Sequence, residues 1–203
     1  LSALNARLND AGFGDTRAFR VREGDLTLAR DALIRAHDVT LTADHGAITI
    51  AGTIDARGRD AGRIALNAHD DVTLTGSARL DASARGASQA GGLVSIGTSA
   101  GSLHLAASDD NTRGIDVAGT VTGGSAREDS GKLVLRAPRI ANSEVAVDDV
   151  DMRVAGASRI TLEALQRYSG TNVGTTFTTA RNDAAAFMDH APDIAARLGR
   201  DGD

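Results

Sequence analysis

Gly46-Ala47-Ile48-Thr49-Ile50-Ala51-Gly52-Thr53-Ile54-Asp55-Ala56-Arg57-Gly58, followed after Arg59 and Asp60 by Ala61-Gly62-Arg63-Ile64-Ala65-Leu66-Asn67-Ala68, carries the pattern that decides the fold. Apolar residues stand at every second position: Ile48 and Ile50 around Thr49, then Ile64, Leu66 and Ala68 around Ala65 and Asn67. A period of two gives a strand with one dry and one wet face. Thr, Val and Ile dominate and glycine interrupts every few positions, which works against helix. Only Ala51, Gly52 and Thr53 separate Ile50 from Ile54. That is too little chain for a helical crossover, and hairpin dipeptides are almost absent.

The texture recurs. Residues 61–68 are echoed by Gly91-Gly92-Leu93-Val94-Ser95-Ile96-Gly97 and by Ser130-Gly131-Lys132-Leu133-Val134-Leu135-Arg136-Ala137. A second set comprises Asp38-Val39-Thr40-Leu41-Thr42-Ala43, Asp71-Val72-Thr73-Leu74-Thr75-Gly76, Gly101-Ser102-Leu103-His104-Leu105-Ala106 and Ser158-Arg159-Ile160-Thr161-Leu162-Glu163. A third pairs Gly52-Thr53-Ile54-Asp55-Ala56-Arg57-Gly58 with Ala78-Arg79-Leu80-Asp81-Ala82-Ser83. Such self-similarity marks a repeat architecture in which each strand pairs with its equivalent in the next coil, about 4.8 Å away.

The expected fold is all-β: a right-handed parallel β-helix, a solenoid, with short helical caps at both ends. Ile48, Ile64, Val94 and Leu133 should all point into the interior, each contributing roughly 1.5–3 kcal/mol when fully buried. The spacing of the repeats is uneven. The excess chain falls in the polar, glycine-rich stretches 84–92, 108–114 and 123–131, which are the expected protruding loops and the places where a binding surface would form. The length allows about six or seven coils, while the alternation does not say which segments share a face.

Composition agrees. Of 203 residues 41% are hydrophobic but only 2% aromatic, with no Trp, one Tyr and four Phe. The interior must be filled by Val, Ile, Leu and Ala, which suits many narrow layers. Gly is frequent at 23 and Pro scarce at two, as expected where turns are tight and backbone N–H groups are needed in ladders. The net charge of −5 and pI near 5.5 argue against nucleic acid, polyanions and anionic membranes as partners. Cysteine is absent, so disulfides are excluded. No apolar run approaches about eighteen residues, so no membrane insertion is expected. Opening at Leu1 without an initiator Met or a signal-peptide pattern, the sequence reads as a piece of a longer protein.

The ends differ from the middle. Ser2 caps a short predicted helix with Leu4, Leu8 and Ala11 on one side, closed by Gly12. Ala184, Phe187, Met188, Ala191, Ala195 and Leu198 recur at helical spacing, with Pro192 starting a second helix. Helices there would cover apolar layers and unpaired strand edges. Three regions follow: an N-terminal helical cap at 1–13, parallel β-helix repeats at 14–170, and a Thr-rich linker with a C-terminal helical segment at 171–203.

The stretch from Gly46 to Leu66 resembles the repeats of filamentous haemagglutinins, with their Gly-x-Ile-x-Ile-x-Gly-x-Ile-Asp-Ala-x-Gly texture. The opening Leu4-Asn5-Ala6-Arg7-Leu8-Asn9-Asp10-Ala11-Gly12-Phe13 is similar to a segment that precedes such repeats in large exoproteins of this group. The resemblance covers roughly residues 1–165. It implies a Gram-negative two-partner secretion passenger: a secreted or cell-surface virulence adhesin, exported through an outer-membrane barrel transporter and attaching to a host-cell receptor or glycan. The Asn-Pro-Asn-Gly and Asn-Pro-Asn-Leu motifs of the secretion domain are missing, which points to shaft rather than to the part the transporter recognises.

Residue chemistry favours a structural or adhesive role over catalysis. Asp148, Asp149 and Asp151, and Asp109 and Asp110 beside Asn111, are oxygen-rich enough for Ca²⁺, but neither an EF-hand nor a calcium-solenoid nonapeptide is present. His37, His45, His69, His104 and His190 show no zinc spacing. His37-Asp38 and His69-Asp70 read as equivalent turns, and His104 points outward between Leu103 and Leu105. The rival from another class is a carbohydrate-active β-helix enzyme, a polysaccharide lyase or hydrolase, with stacked outward Asp55 and Asp81 as a carboxylate pair in which one pKa is raised. Turn-capping is the plainer use of those aspartates. A Thr array for a crystal or ice surface (Thr40, Thr42, Thr49, Thr73, Thr75, Thr161) is interrupted by Asp55, Arg57 and His104. No catalytic residue, cofactor or metal is expected, and the binding residues stay open.

Overall fold

A computed structural model describes residues 2–121, 131–141 and 144–198. It opens with helix α1 (Ser2–Asp10) and then passes through three sheets in a fixed rotation. The first round is β1 (Thr16–Val21), β2 (Leu26–Leu28) and β3 (Leu33–Arg35), and the second is β4 (Asp38–Ala43), β5 (Ile48–Ile50) and β6 (Thr53–Asp55). The third is β7 (Arg63–Ala68), β8 (Val72–Leu74) and β9 (Arg79–Asp81), and the fourth β10 (Leu93–Thr98), β11 (Leu103–Leu105) and β12 (Gly114–Asp116). The fifth comprises β13 (Gly131–Ile140), the short β14 (Glu144–Val145), β15 (Val147–Val150) and β16 (Val154–Ala155). Strand β17 (Ala157–Leu165) opens a sixth round, after which the chain turns into α2 (Val173–Met188) and α3 (Ala191–Leu198).

The first sheet runs β1-β4-β7-β10-β13-β17, the second β2-β5-β8-β11-β15 and the third β3-β6-β9-β12-β16. These pairings are parallel; β14 alone folds back antiparallel on the end of β13. The described residues are therefore mostly parallel β-structure, three stacked parallel sheets with three short helices.

Register turns the alternating sequence into columns. In the first sheet Phe19, Leu41, Leu66, Ile96, Leu135 and Leu162 lie one above another. In the second, Leu28, Ile50, Leu74, Leu105 and Val150 do so, and in the third Ile34, Ile54, Leu80, Ile115 and Val154. Ile48, Ile64, Val94 and Leu133 are fully buried, as their alternation predicts. All belong to one continuous apolar cluster shared by the three sheets.

Glycine sets the corner from the third sheet to the first. A Cβ on Gly62 would stand 2.0 Å from the Ala56 carbonyl oxygen, one on Gly92 2.1 Å from that of Ala82, and one on Gly131 2.0 Å from that of Val117. Each precedes or begins a first-sheet strand, and no side chain fits so close to backbone. The corner lengthens upward, from 36–37 to 56–62 and 82–92.

Several expectations change. Among the described residues five rounds and one strand form, not six or seven coils, because the long connections at 82–92 and 106–113 take up chain. The second repeat set divides: 38–43 and 158–163 lie in the first sheet, 71–76 and 101–106 in the second. Strands with the same apolar alternation serve every sheet, so texture alone cannot assign a face. On α1 the buried residue is Asn5, 1% exposed, while Leu4 is 55% exposed. The Thr-rich stretch is no linker but the start of α2: Asn172 caps it, its Oδ1 accepting from Thr175 N at 3.1 Å.

Candidate functional site

The aspartates singled out as a carboxylate pair do stack. Asp55 pairs in register with Asp81, and Asp81 with Asp116, at the ends of β6, β9 and β12. Each caps the turn that follows: Asp55 Oδ1 accepts from Arg57 N at 3.2 Å, Asp81 Oδ1 from Ser83 N at 3.2 Å, and Asp116 Oδ1 from Ala118 N at 3.0 Å. This is the Asx-type use of aspartate at a corner.

They are less exposed than their outward position suggests, because arginines lie over them. Asp55 is 8% and Asp81 1% exposed. Arg57 Nε sits 2.7 Å from Asp55 Oδ1 and 3.4 Å from Asp81 Oδ2, and Arg79 Nη2 donates to Asp81 Oδ2 at 2.8 Å. The hydrogen bond from Arg57 holds the Asp55 carboxyl below the ordinary carboxylate range, against the opposing effect of burial. A general acid needs the reverse, a carboxyl whose protonated form persists near neutrality. In this ladder the Asp55 carboxyl is paired with the Arg57 guanidinium.

The histidines do not converge. His69 is not equivalent to His37: it follows β7 at the first-to-second corner, whereas His37 precedes β4. Their coincidence before Val-Thr-Leu-Thr arises from two different sheets. His69 Nδ1 pairs with Asp70 at 2.7 Å and its ring lies 5.7 Å from that of His45. His190 sits between α2 and α3. His104 faces out of the second sheet beside Thr73, hydrogen-bonded to Asp148 and 3.9 Å from Asp71. It interrupts the threonine column Thr27, Thr49, Thr73, so no regular hydroxyl array forms.

Asp109 pairs with Arg30 at 2.7 Å and Asp110 Oδ1 accepts from Thr112 Oγ1 at 2.6 Å. Among the described residues no group of three or more His, Cys, Asp or Glu is placed to hold a metal ion. The loop 108–114 lies back along the stack, its Asp109 N donating to Gly76 O. The loop 84–92 packs against Thr120, whose backbone N donates to Gln89 O at 2.8 Å. Most of 123–131 lies outside the described residues.

One concave site was not foreseen. Between the last round and helices α2 and α3 is a cavity of about 750 Å³, lined by Met152 and Val154 below, Ile160 and Leu162 on β17, and Phe187 and Ile194 above. Its polar member is Arg139, at the end of β13, with a side chain 5% exposed. Arg139 Nη1 and Nη2 reach the Asp183 carboxylate on α2 at 3.0 and 3.2 Å, Tyr168 donates its hydroxyl hydrogen to the same carboxylate, and Cζ lies 4.0 Å from the Phe187 ring centre. Asp183 is thereby held below its ordinary range, first by the Tyr168 hydroxyl and then by Arg139, and Tyr168 is raised above its own. The sequence signal was slight: a lone arginine after Ala137-Pro138, with its partner more than forty residues away.

The chain matches no protein-family model, and no curated protein and no solved structure is significantly similar to it.

Proposed function

We propose that the three sheets are the walls of a right-handed parallel β-helix, and that this chain is a shaft segment of a large surface protein of the filamentous haemagglutinin type. In this reading the parent protein leaves a Gram-negative cell through a dedicated outer-membrane barrel transporter. The segment holds an adhesive region away from the cell, where it meets a host-cell receptor or glycan. The observation that carries the reading is the in-register stack. Inward columns persist through five rounds while most outward positions are polar, so the molecule invests its residues in length and stiffness. Arginine-bound Asp55 speaks against the carboxylate pair on which the polysaccharide-cleaving alternative rested.

The test has two parts. Cells of the producing bacterium, with and without the transporter gene, are treated with external protease and probed with antibody to this chain. Surface display that depends on the transporter is expected, and retention inside cells with an intact transporter overturns the secretion reading. Purified chain on immobilised glycans or epithelial cells should bind without altering the polysaccharide, and release of oligosaccharide overturns the structural reading.

A further inference from the structure

We infer that β17 is a docking edge for a second copy of this chain, the two strands joining antiparallel about a two-fold axis at Thr161. The inference does not depend on the surface-protein reading. Strands at the ends of a stack present unpaired N–H and C=O groups, and a protein that stays single blunts them. Among the described residues five of the six outer edges are blunted. β1 turns the charged Arg17 inward, while β2 has only three residues and β16 two. β3 bonds to Asn5 and Asn9 on α1, and β15 to Arg197 on α3. β17 differs. It runs for nine residues, Ala157–Leu165, without proline or an inward charge, and it pairs with β13 alone. Its Ile160 is 56% exposed, although Ile64, Val94 and Leu133 in the same column are fully buried.

The outward charges of β17 say what fits this edge. Arg159 and Glu163 stand on the wet face, in the columns of Lys132 and Arg136, two residues to either side of Thr161. An antiparallel copy centred on Thr161 sets position 161 against itself, 159 against 163 and 160 against 162. Each Arg159 then meets the Glu163 of the other copy, and on the inner face each Ile160 meets the other copy's Leu162. Any other antiparallel register separates Arg159 from Glu163, and a parallel copy in register opposes Arg159 to Arg159 and Glu163 to Glu163. The charges thus select one pairing. Arg159 is exposed and makes no hydrogen bond or ion pair among the described residues. Arg136 holds Glu163 Oε2 at 2.6 Å, which leaves Oε1 for the incoming Arg159, and 42% of the Glu163 side chain is exposed. Joined in this way, the first sheets of the two copies become one continuous sheet.

Sedimentation equilibrium of the full chain tests the pairing. One strand edge is a small interface and holds weakly, so concentrations up to about 0.5 mM are needed. A monomer–dimer equilibrium is expected. Arg159→Glu and Glu163→Arg each place two like-charged pairs across the axis and should weaken association at least about tenfold. An equimolar mixture of the two variants should dimerise again, because each then carries the charges that complement the other. Both changes lie on the wet face, and far-ultraviolet spectra check that the fold is kept. Register is read by cross-linking, since the chain has no cysteine. Thr161→Cys brings two thiols opposite one another, with Cα atoms about 4.5–5.5 Å apart and within disulfide reach, so mild oxidation should yield a covalent dimer. Leu165→Cys, whose two copies would lie about 27 Å apart along the strands, should not. A chain that stays monomeric throughout, a dimer indifferent to both charge reversals, or a mixture no more associated than its components overturns the assignment. So does cross-linking of Leu165→Cys as fast as that of Thr161→Cys.

Discussion

The two ends of the stack solve one problem with opposite chemistry. At the bottom, the column of Val39, Ile64, Val94 and Leu133 ends on Arg17, and at the top on Ile160. Arg17 is 5% exposed, its Nη1 donating to Asn5 Oδ1 and Asn9 Oδ1 at 2.7 and 2.6 Å and its Nε to Phe13 O at 2.8 Å. Asn5 and Asn9 also donate to Leu33 O, the edge carbonyl of β3, and Asn9 Oδ1 accepts from Arg35 N at 3.3 Å. One helix thus bonds to an open strand edge and covers the last layer with hydrogen-bonded polar groups. At the top, Arg197 reaches Val147 O at 3.1 Å on the edge of β15, but Ile160 stays largely wet and the cavity persists. A helix meets a flat layer poorly with apolar side chains alone. Amides seal the bottom because hydrogen bonds fix their geometry, whereas the aliphatic lid leaves space.

The comparison breaks most visibly within that one column. Ile64→Ala removes a buried side chain between two packed rounds and should cost about 2–5 kcal/mol, whereas Ile160→Ala, two rounds from Val94 and half exposed, should cost under about 1 kcal/mol. Urea denaturation of the two variants measures both. Equal costs would mean that the top layer is covered after all. Asn5→Ala comes next. It takes an acceptor from buried Arg17 and a donor from Leu33 O together, so a loss of about 1–3 kcal/mol is expected. Arg197→Ala, the nearest counterpart at the other end, has a side chain 34% exposed and should cost no more than about 1 kcal/mol. A smaller loss for Asn5→Ala than for Arg197→Ala would reverse the ranking of the two seals.

How far the sequence foretold this follows from what alternation encodes. The dry positions Ile48, Ile64, Val94 and Leu133 were legible because a side-chain period of two is a local property. The stacking of Asp55 on Asp81 was legible because Ile54-Asp55-Ala56 and Leu80-Asp81-Ala82 share one pattern. The assignment of 38–43 and 158–163 to the first sheet was not, since Val-Thr-Leu on any sheet presents the same pattern. Nor were the ends. Asn5 is buried and Leu4 exposed, against the apolar stripe of α1, because a strand edge asks for donors and acceptors rather than for methyl groups. The Arg139–Asp183–Tyr168 cluster joins β13 to α2 over a long separation, and no local pattern announces such a meeting. The Thr-rich start of α2 misled through propensity: threonine disfavours helix, yet Asn172 supplies the cap and Thr176 and Thr178 return their hydroxyls to Asn172 O and Gly174 O.

That cap gives the next, smaller effect. Asn172→Ala should lower stability by about 1 kcal/mol, with faster amide exchange confined to the first turns of α2 and none in α1. Exchange spreading into α1 would show that the ends communicate through the stack, which separate seals do not require.

The smallest effect is read by titration. The seal at the bottom joins amides to the Arg17 guanidinium, while that at the top also uses carboxyls and a phenol. Asp183 and Glu144 both have folded-state pKa values below their ordinary ones, the first through Tyr168 and Arg139, the second through Arg197. A depressed carboxyl stabilises above its unfolded value and loses that contribution as pH falls through the folded one. Tyr168 runs the other way. Its pKa is raised, chiefly by the bond to Asp183, so its contribution is complete below its ordinary value near 10 and lost as the solution becomes more alkaline. The top should therefore loosen at both extremes, below about pH 4 and above about pH 10, while α1 holds. Limited proteolysis across that range should cut first near α2 and α3. Absorbance of the single tyrosine should show phenolate forming later than in a free peptide, and Asp183→Asn should return it toward the ordinary value. A Tyr168 that titrates normally in the unaltered chain would remove the hydrogen bond on which the upper seal, and its contrast with the lower one, depends.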